Sequence, residues 1–150
     1  MKKIRITKQF DFESAHALYG YDGKCKNIHG HSYHLHVTVI GTPIDDINHH
    51  KNGMVLDFGD LKTLVKEEIV DVFDHTIILN GNSPHKILAQ TLKDNAHKIV
   101  LVDYQPTSEN MLFDIADKIK KQLPKNVSLH SLKLFETANS YAEWFAEDQE

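Results

Sequence analysis

Cys25-Lys26-Asn27-Ile28-His29-Gly30-His31-Ser32-Tyr33-His34-Leu35-His36 runs straight into Val37-Thr38-Val39-Ile40 and stops at Gly41. A β-branched run bounded by glycine reads as a strand, here over roughly 31–40, leaving a cluster of histidines. Side chains two apart on a strand share a face, so His29 and His31 can point at one object. Gly30 between them adds no bulk on the other face. Upstream, Phe10-Asp11-Phe12-Glu13-Ser14-Ala15-His16 continues a second alternating stretch, residues 4–14, whose apolar set is Ile4, Ile6, Phe10 and Phe12. Pairing of the two strands antiparallel would bring His16 alongside the other two imidazoles.

The chain has 150 residues and is 41% hydrophobic, enough for one globular domain over 1–150 with a real core. A net charge of −4 and the lack of a long basic run argue against a general nucleic-acid binder. Met1-Lys2-Lys3-Ile4-Arg5-Ile6 goes directly into an alternating strand, and no apolar stretch approaches membrane-spanning length. No membrane association is expected, and a cytoplasmic location is. The single cysteine, Cys25, has no internal disulfide partner. It is a buried small hydrophobe, a metal ligand or a reactive thiol.

Between the two strands, residues 17–28 with Gly20 and Gly23 form a loop that carries Cys25 back towards the histidines. After Gly41 a polar turn region holds His49-His50, adjacent histidines that face opposite ways and read as solvated. A helix follows, with Asp57 or Asp60 as its cap and Leu61, Leu64, Val65, Ile69 and Val72 at helical spacing. Asp74-His75 marks its end. Ser83-Pro84 opens a short helix over about 84–96, and Ile99-Val100-Leu101-Val102 reads as a buried strand. Thr107 or Ser108 caps a longer helix with the stripe Met111, Leu112, Ile115, Ala116, Ile119 and Leu123, ended by Pro124. Two strands, Leu129 to Thr137 and Tyr141 to Phe145, precede an acidic tail expected to fray.

Strand pairs separated by helices imply an α+β domain: a four-stranded antiparallel sheet with helices packed on one face. The uncovered face and two free edges suit assembly with further copies into a closed barrel.

Three neutral imidazoles bind zinc well, and a site with three protein ligands keeps a position open for water or substrate. Zn²⁺ leads over other metals by ligand type. Cys25 is either a fourth, structural ligand or a thiolate made usable as base or nucleophile by the metal and by Lys24 or Lys26. Asp74-His75 pairs an acid with an imidazole, whose plainest alternative is surface capping. Glu136 lies on the apolar face of its strand with Leu132 and Leu134, where a carboxylate needs a donor; two parallel N–H groups of an amidine-like ligand edge would satisfy it. Glu109 at a helix start is favourable for helix-dipole reasons alone.

Phe12-x-x-Ala15-His16, Cys25-x-x-x-His29-Gly30-His31, Asp74-His75, Pro106-Thr107-Ser108-Glu109-Asn110 and Glu136-Thr137 together resemble the family of 6-pyruvoyltetrahydropterin and 6-carboxytetrahydropterin synthases. The motifs keep the family's order across most of the chain. The resemblance implies the tunnelling fold, or T-fold, in which trimers close a barrel and two trimers stack as a homohexamer with active sites between subunits. It also implies His16, His29 and His31 on Zn²⁺, Cys25 as catalytic base, Asp74 and His75 as its proton-relay partners, and substrate contacts from Glu136, Glu109 and Thr107, with Glu136 anchoring the pterin. The three-residue gap between Cys25 and His29 resembles the bacterial carboxytetrahydropterin enzymes of queuosine biosynthesis. The segment between His75 and Pro106 is longer than in the family's short members.

The activity implied is conversion of 7,8-dihydroneopterin triphosphate to 6-carboxy-5,6,7,8-tetrahydropterin, acetaldehyde and triphosphate. Alternatives are the pyruvoyl synthase, which stops at triphosphate elimination, and a non-enzymatic zinc or pterin binder on the same fold. A zinc hydrolase with Glu109 or Glu136 as base would leave the Cys25 and Asp74-His75 pairing unexplained.

Overall fold

Strands β1 (Ile4–His16) and β2 (His29–Gly41) pair antiparallel over their full lengths, from Ile4 opposite Gly41 to His16 opposite His29. The structure, a computed structural model, describes residues 1–150. Both strands run to the histidines themselves, so His16 and His29 are strand residues rather than loop residues. Beyond β2 lie β5 (Val127–Thr137) and β6 (Ser140–Phe145), each antiparallel to its neighbour. Along the opposite edge, β3 (Thr76–Asn80) joins β1 in parallel and β4 (Ile99–Val102) joins β3 in parallel.

The sheet therefore has six strands in the order β4-β3-β1-β2-β5-β6, not the four antiparallel strands expected, although the α+β class holds. Ile77-Ile78-Leu79 is a short apolar run, and such runs do not declare themselves as strand or helix by periodicity. Ile99 to Val102 is a strand but not a buried one: it forms the sheet's edge, with Leu101 exposed.

Helix α1 (Phe58–Val65) is capped by Asp57, which accepts a hydrogen bond from the Gly59 N–H at 2.7 Å. It continues through a π turn (Lys66–Val70) into the short α2 (Asp71–Phe73). The spacing explains the wide turn. Leu61, Val65, Ile69 and Phe73 are all fully buried yet four residues apart. In a straight α-helix each such step drifts by about 40°, so the fourth side chain would leave the core face. Extra residues in the π turn reset the phase. Helix α4 (Ser108–Gln122) is capped by Thr107, whose Oγ1 accepts from the Asn110 N–H at 3.2 Å.

α1, α2 and α4 cover one face of the sheet and enclose a core of 22 buried residues, among them Phe12, Tyr33, Leu35 and Leu134. In β5 a bulge at His130 is essential to this layer. Thr38 pairs with Ser131 and Val39 with Leu129, so His130 is the extra residue. It switches the inward positions from Val127 and Leu129 to Leu132 and Leu134, and thereby to Glu136.

Helix α3 (His85–Asp94) departs from the expected one-sided arrangement. Ile78 belongs to the main core, whereas Leu79 packs with Ala17 and Ala89 in a second buried cluster flanked by Ile77, Leu88, Leu92 and Ile99. Successive residues of β3 thus serve opposite faces, and α3 covers the second face at its β3–β4 edge. The acidic tail winds into a 3-10 turn, Ala146–Gln149, instead of fraying.

Two separately filled cores give a testable division of stability. Leu79→Ala should cost about 2 to 5 kcal/mol through the cavity it leaves. Hydrogen exchange should accelerate across residues 76–102 while β2 and β5 keep their protection. A uniform loss of protection would contradict it.

Candidate metal centre and its surroundings

The side chains of Phe12, Ser14 and His16 on β1 and of His29, His31 and Tyr33 on β2 share the core face, because both strands alternate in step. Where the helices stop covering that face, the imidazoles converge. Ring nitrogens of His16, His29 and His31 lie within 4.8 Å of one another.

Hydrogen bonds fix the tautomers of two of them. His16 Nδ1 lies 2.6 Å from the Pro106 carbonyl and His29 Nδ1 lies 2.7 Å from the Asn27 carbonyl. A carbonyl only accepts, so each Nδ1 carries a proton, and in the neutral imidazole each Nε2 presents a lone pair. Those two Nε2 atoms stand 3.0 Å apart. Neither can donate to the other in this state, and a cation shared between them satisfies both. His31 Nε2 is buried and has no hydrogen-bond partner, a third orphaned donor atom of the same kind. Burial lowers the pKa of both His16 and His31, partly opposed for each by the nearby Glu136 carboxylate, so both favour the neutral, ligating form. The three imidazoles form a group able to hold a metal ion.

Glu136 is carried to this spot by the β5 bulge. Its Oε1 sits 3.6 Å from His16 Nε2 and 3.7 Å from His31 Nε2. Ser108 Oγ donates to it at 3.3 Å. Tyr33, fully buried, places its hydroxyl 3.4 Å from His16 Nδ1, and burial pushes its pKa up. Ser108 and Tyr33 are parts of the site that sequence reasoning did not single out. Tyr33 could have been found, since it continues the alternation of His29 and His31; Ser108 read equally well as a helix cap.

The other expected residues stand around this group rather than in it. Cys25 lies half-buried in a 3-10 turn, Lys24–Lys26, and is not one of the clustered donors. Its carbonyl accepts from the Leu18 N–H at 3.0 Å, which closes the loop between His16 and His29. Thr107 spends an acceptor on the cap of α4. Glu109, in the first turn of the same helix, is exposed and borders a separate cleft beside Trp144.

Asp74 and His75 dock on the backbone of Glu13. Asp74 Oδ1 accepts the Glu13 N–H at 2.8 Å, and the His75 N–H donates to the Glu13 carbonyl at 2.6 Å. For the second bond His75 adopts φ +56°, in the left-handed region. Its Nδ1 reaches Asp74 Oδ2 at 2.9 Å and its side chain is 77% exposed. The Glu13 N–H, and after it the His75 ring, hold the Asp74 carboxyl below the usual carboxylate range. His75 borders a cleft of about 440 Å³ with Glu13, Ala15, Gly30, His31, Ser32 and His97. Glu13, Ala15, Gly30 and Ser32 alternate with the inward-facing residues, so this cleft lies mainly on the face opposite the imidazole side chains, with His31 at its border.

A profile of the 6-pyruvoyl tetrahydropterin synthase family matches residues 5–147, and the chain belongs to that family. Among its relatives are proteins named 6-carboxy-5,6,7,8-tetrahydropterin synthase. The one from Haemophilus influenzae is 36% identical over 142 residues, covering 94% of this chain and 98% of its own. Its counterpart from Aquifex aeolicus is 32% identical over 167 residues, covering 95% and 98%. In fold, an uncharacterized protein from Wolinella succinogenes superposes with a TM-score of 0.81 at 20% identity, over 97% of this chain and 99% of that one. The Caenorhabditis elegans 6-pyruvoyl tetrahydropterin synthase gives 0.67 at 23% identity, over 97% of each chain. No helix is long and apolar enough to cross a membrane.

The Asp74 bonds fix a pH dependence. A carboxyl whose folded pKa is depressed contributes stability that is fully present above its unfolded pKa, near 3.8, and is lost as pH falls through the lowered value. His75→Ala removes the smaller of the two favourable partners. The Asp74 titration midpoint, followed by carbon-detected NMR, should rise towards the ordinary value yet stay below it, because the Glu13 N–H remains. An unmoved midpoint would show that the imidazole contributes nothing.

Proposed function

We propose that the protein is a zinc-dependent 6-carboxy-5,6,7,8-tetrahydropterin synthase, a lyase of queuosine biosynthesis, with residues 1–150 as one pterin synthase domain. The observation that carries the reading is the set of three convergent imidazole nitrogens, one of them buried without a partner. Neutral nitrogen donors suit Zn²⁺, and three protein ligands leave a position for substrate. Held by His16, His29 and His31, the ion would supply Lewis acidity to the side-chain oxygens of 7,8-dihydroneopterin triphosphate.

The remaining roles belong to the chain's own groups. Glu136 has one hydroxyl donor at 3.3 Å and spare acceptor capacity, which suits the paired N–H groups of a pterin edge. Thr107 keeps its O–H free to donate, and with Glu109 it is assigned to the substrate from the start of α4. Asp74 bonds His75 Nδ1 and so fixes the tautomer, leaving Nε2 to exchange a proton. Cys25 is the base that removes carbon-bound protons. Elimination of triphosphate, uptake of one water molecule and carbon–carbon cleavage together yield the carboxytetrahydropterin and acetaldehyde. The names of the relatives favour this product over the pyruvoyl one.

Because His75 and the imidazole cluster open on opposite faces of one sheet, the reading also requires Asp74 and His75 to meet substrate at a subunit boundary. A homohexamer of two stacked trimers meets that need. Light scattering should give a hexamer in the active preparation, and an active monomer would overturn the assembly.

Mass spectrometry of the product formed from dihydroneopterin triphosphate separates carboxy from pyruvoyl synthase. Cys25→Ala should keep its zinc while turnover falls about 10²- to 10⁴-fold, the usual size of a general-base contribution. His31→Ala should lose metal first and activity as a result. A Cys25→Ala protein that is metal-free, or fully active, would refute the assignment of the base.

A further inference from the structure

The segment from β3 to β4 has no part in the roles above, yet its helix packs on the loop that carries Cys25. Ala17, the residue directly after His16, is 1% exposed because Leu79 of β3 and Ala89 of α3 close over it. Two residues on, the ring of Tyr19 meets His85, at the start of α3, edge to face, with centroids 5.2 Å apart and an interplanar angle of 81°. His85 Nδ1 is buried with no hydrogen-bond partner, so the ring is held there by packing and not by a polar contact. The Tyr19 carbonyl accepts from Gln105 Nε2 at 2.9 Å, beside Pro106, which receives His16 Nδ1.

Between these two anchors lies Leu18, whose N–H holds the Cys25 carbonyl. Only one further backbone bond ties the start of the loop to its middle, Tyr21 N–H to Leu18 carbonyl at 3.3 Å. The position of Cys25 thus depends on Leu18, and Leu18 is fixed by what grips Ala17 and Tyr19.

We propose that α3 is a brace for the Cys25 loop, with His85 as a positioning residue that acts through Tyr19 and Leu18. For its effect on turnover this rests on the assignment of Cys25 as base; for its effect on the loop it does not. Loss of an edge-to-face aromatic contact should release the loop start and make the Cys25 sulfur more accessible. Ile87, on the same helix but 75% exposed, lies outside the contact and serves as control.

Cys25 is the only cysteine, so a thiol reagent reads this loop alone. In the metal-loaded full chain, the rate of reaction with 5,5′-dithiobis(2-nitrobenzoate) should rise about 2- to 10-fold in His85→Ala, the range that an aromatic pair supports. Metal content should stay at the wild-type value. Turnover of dihydroneopterin triphosphate should fall by a similar factor with KM unchanged. His85→Phe, which restores a ring edge, should return both rates, and Ile87→Ala should alter neither. A wild-type thiol rate in His85→Ala overturns the brace, as does a rise that His85→Phe leaves in place. A raised thiol rate with wild-type turnover upholds the brace and overturns instead the assignment of Cys25 as base.

Discussion

The convergence of His16, His29 and His31 depends on the register of β1 against β2. With His16 opposite His29, the inward positions of both strands coincide, and three imidazoles two residues apart or directly across reach one point. A slip of one residue would turn one strand's set to the other face. The register is held by burial next to the histidines. Phe10 and Phe12 face Leu35 and Tyr33 in the core, with Phe12 and Tyr33 stacked at 5.0 Å, so the apolar ladder and the ligand set are one continuous alternation. Packing of the core and convergence of the imidazoles are therefore the same constraint.

That alternation was legible in the sequence, and with it the three histidines, a pair of candidate caps at each of two helices and the place of Glu136 on one face with Leu132 and Leu134. The reason is locality: each follows from spacing of two on a strand or from side chains that reach the nearest backbone. What was not legible depends on partners far along the chain. β3 and β4 lie in short apolar runs whose identity is settled only by pairing with β1. The His130 bulge leaves no mark in composition, yet it decides which face Glu136 joins. The π turn after α1 is a compromise between a four-residue repeat of core side chains and a 3.6-residue helix.

The Asp74-His75 pair illustrates the limit differently. Its identity was readable as an acid beside an imidazole, but not its dependence on Glu13, sixty-one positions earlier, whose N–H and carbonyl it engages. Nor could spacing reveal that Ser108, rather than capping its helix, turns to Glu136 while Thr107 takes the cap. At the start of α4 a backbone N–H selected one of two side chains that the sequence offers equally.

His75 takes a backbone conformation that a residue with a Cβ adopts only at some cost, φ +56°. A glycine in that position would relax the turn and, on general grounds, stabilise the protein by roughly 1 kcal/mol. The fold is thus not at its own optimum here. A screen that selects only for thermal stability would drift towards glycine at position 75 and discard the imidazole, leaving a sturdier protein with an incomplete partner for Asp74.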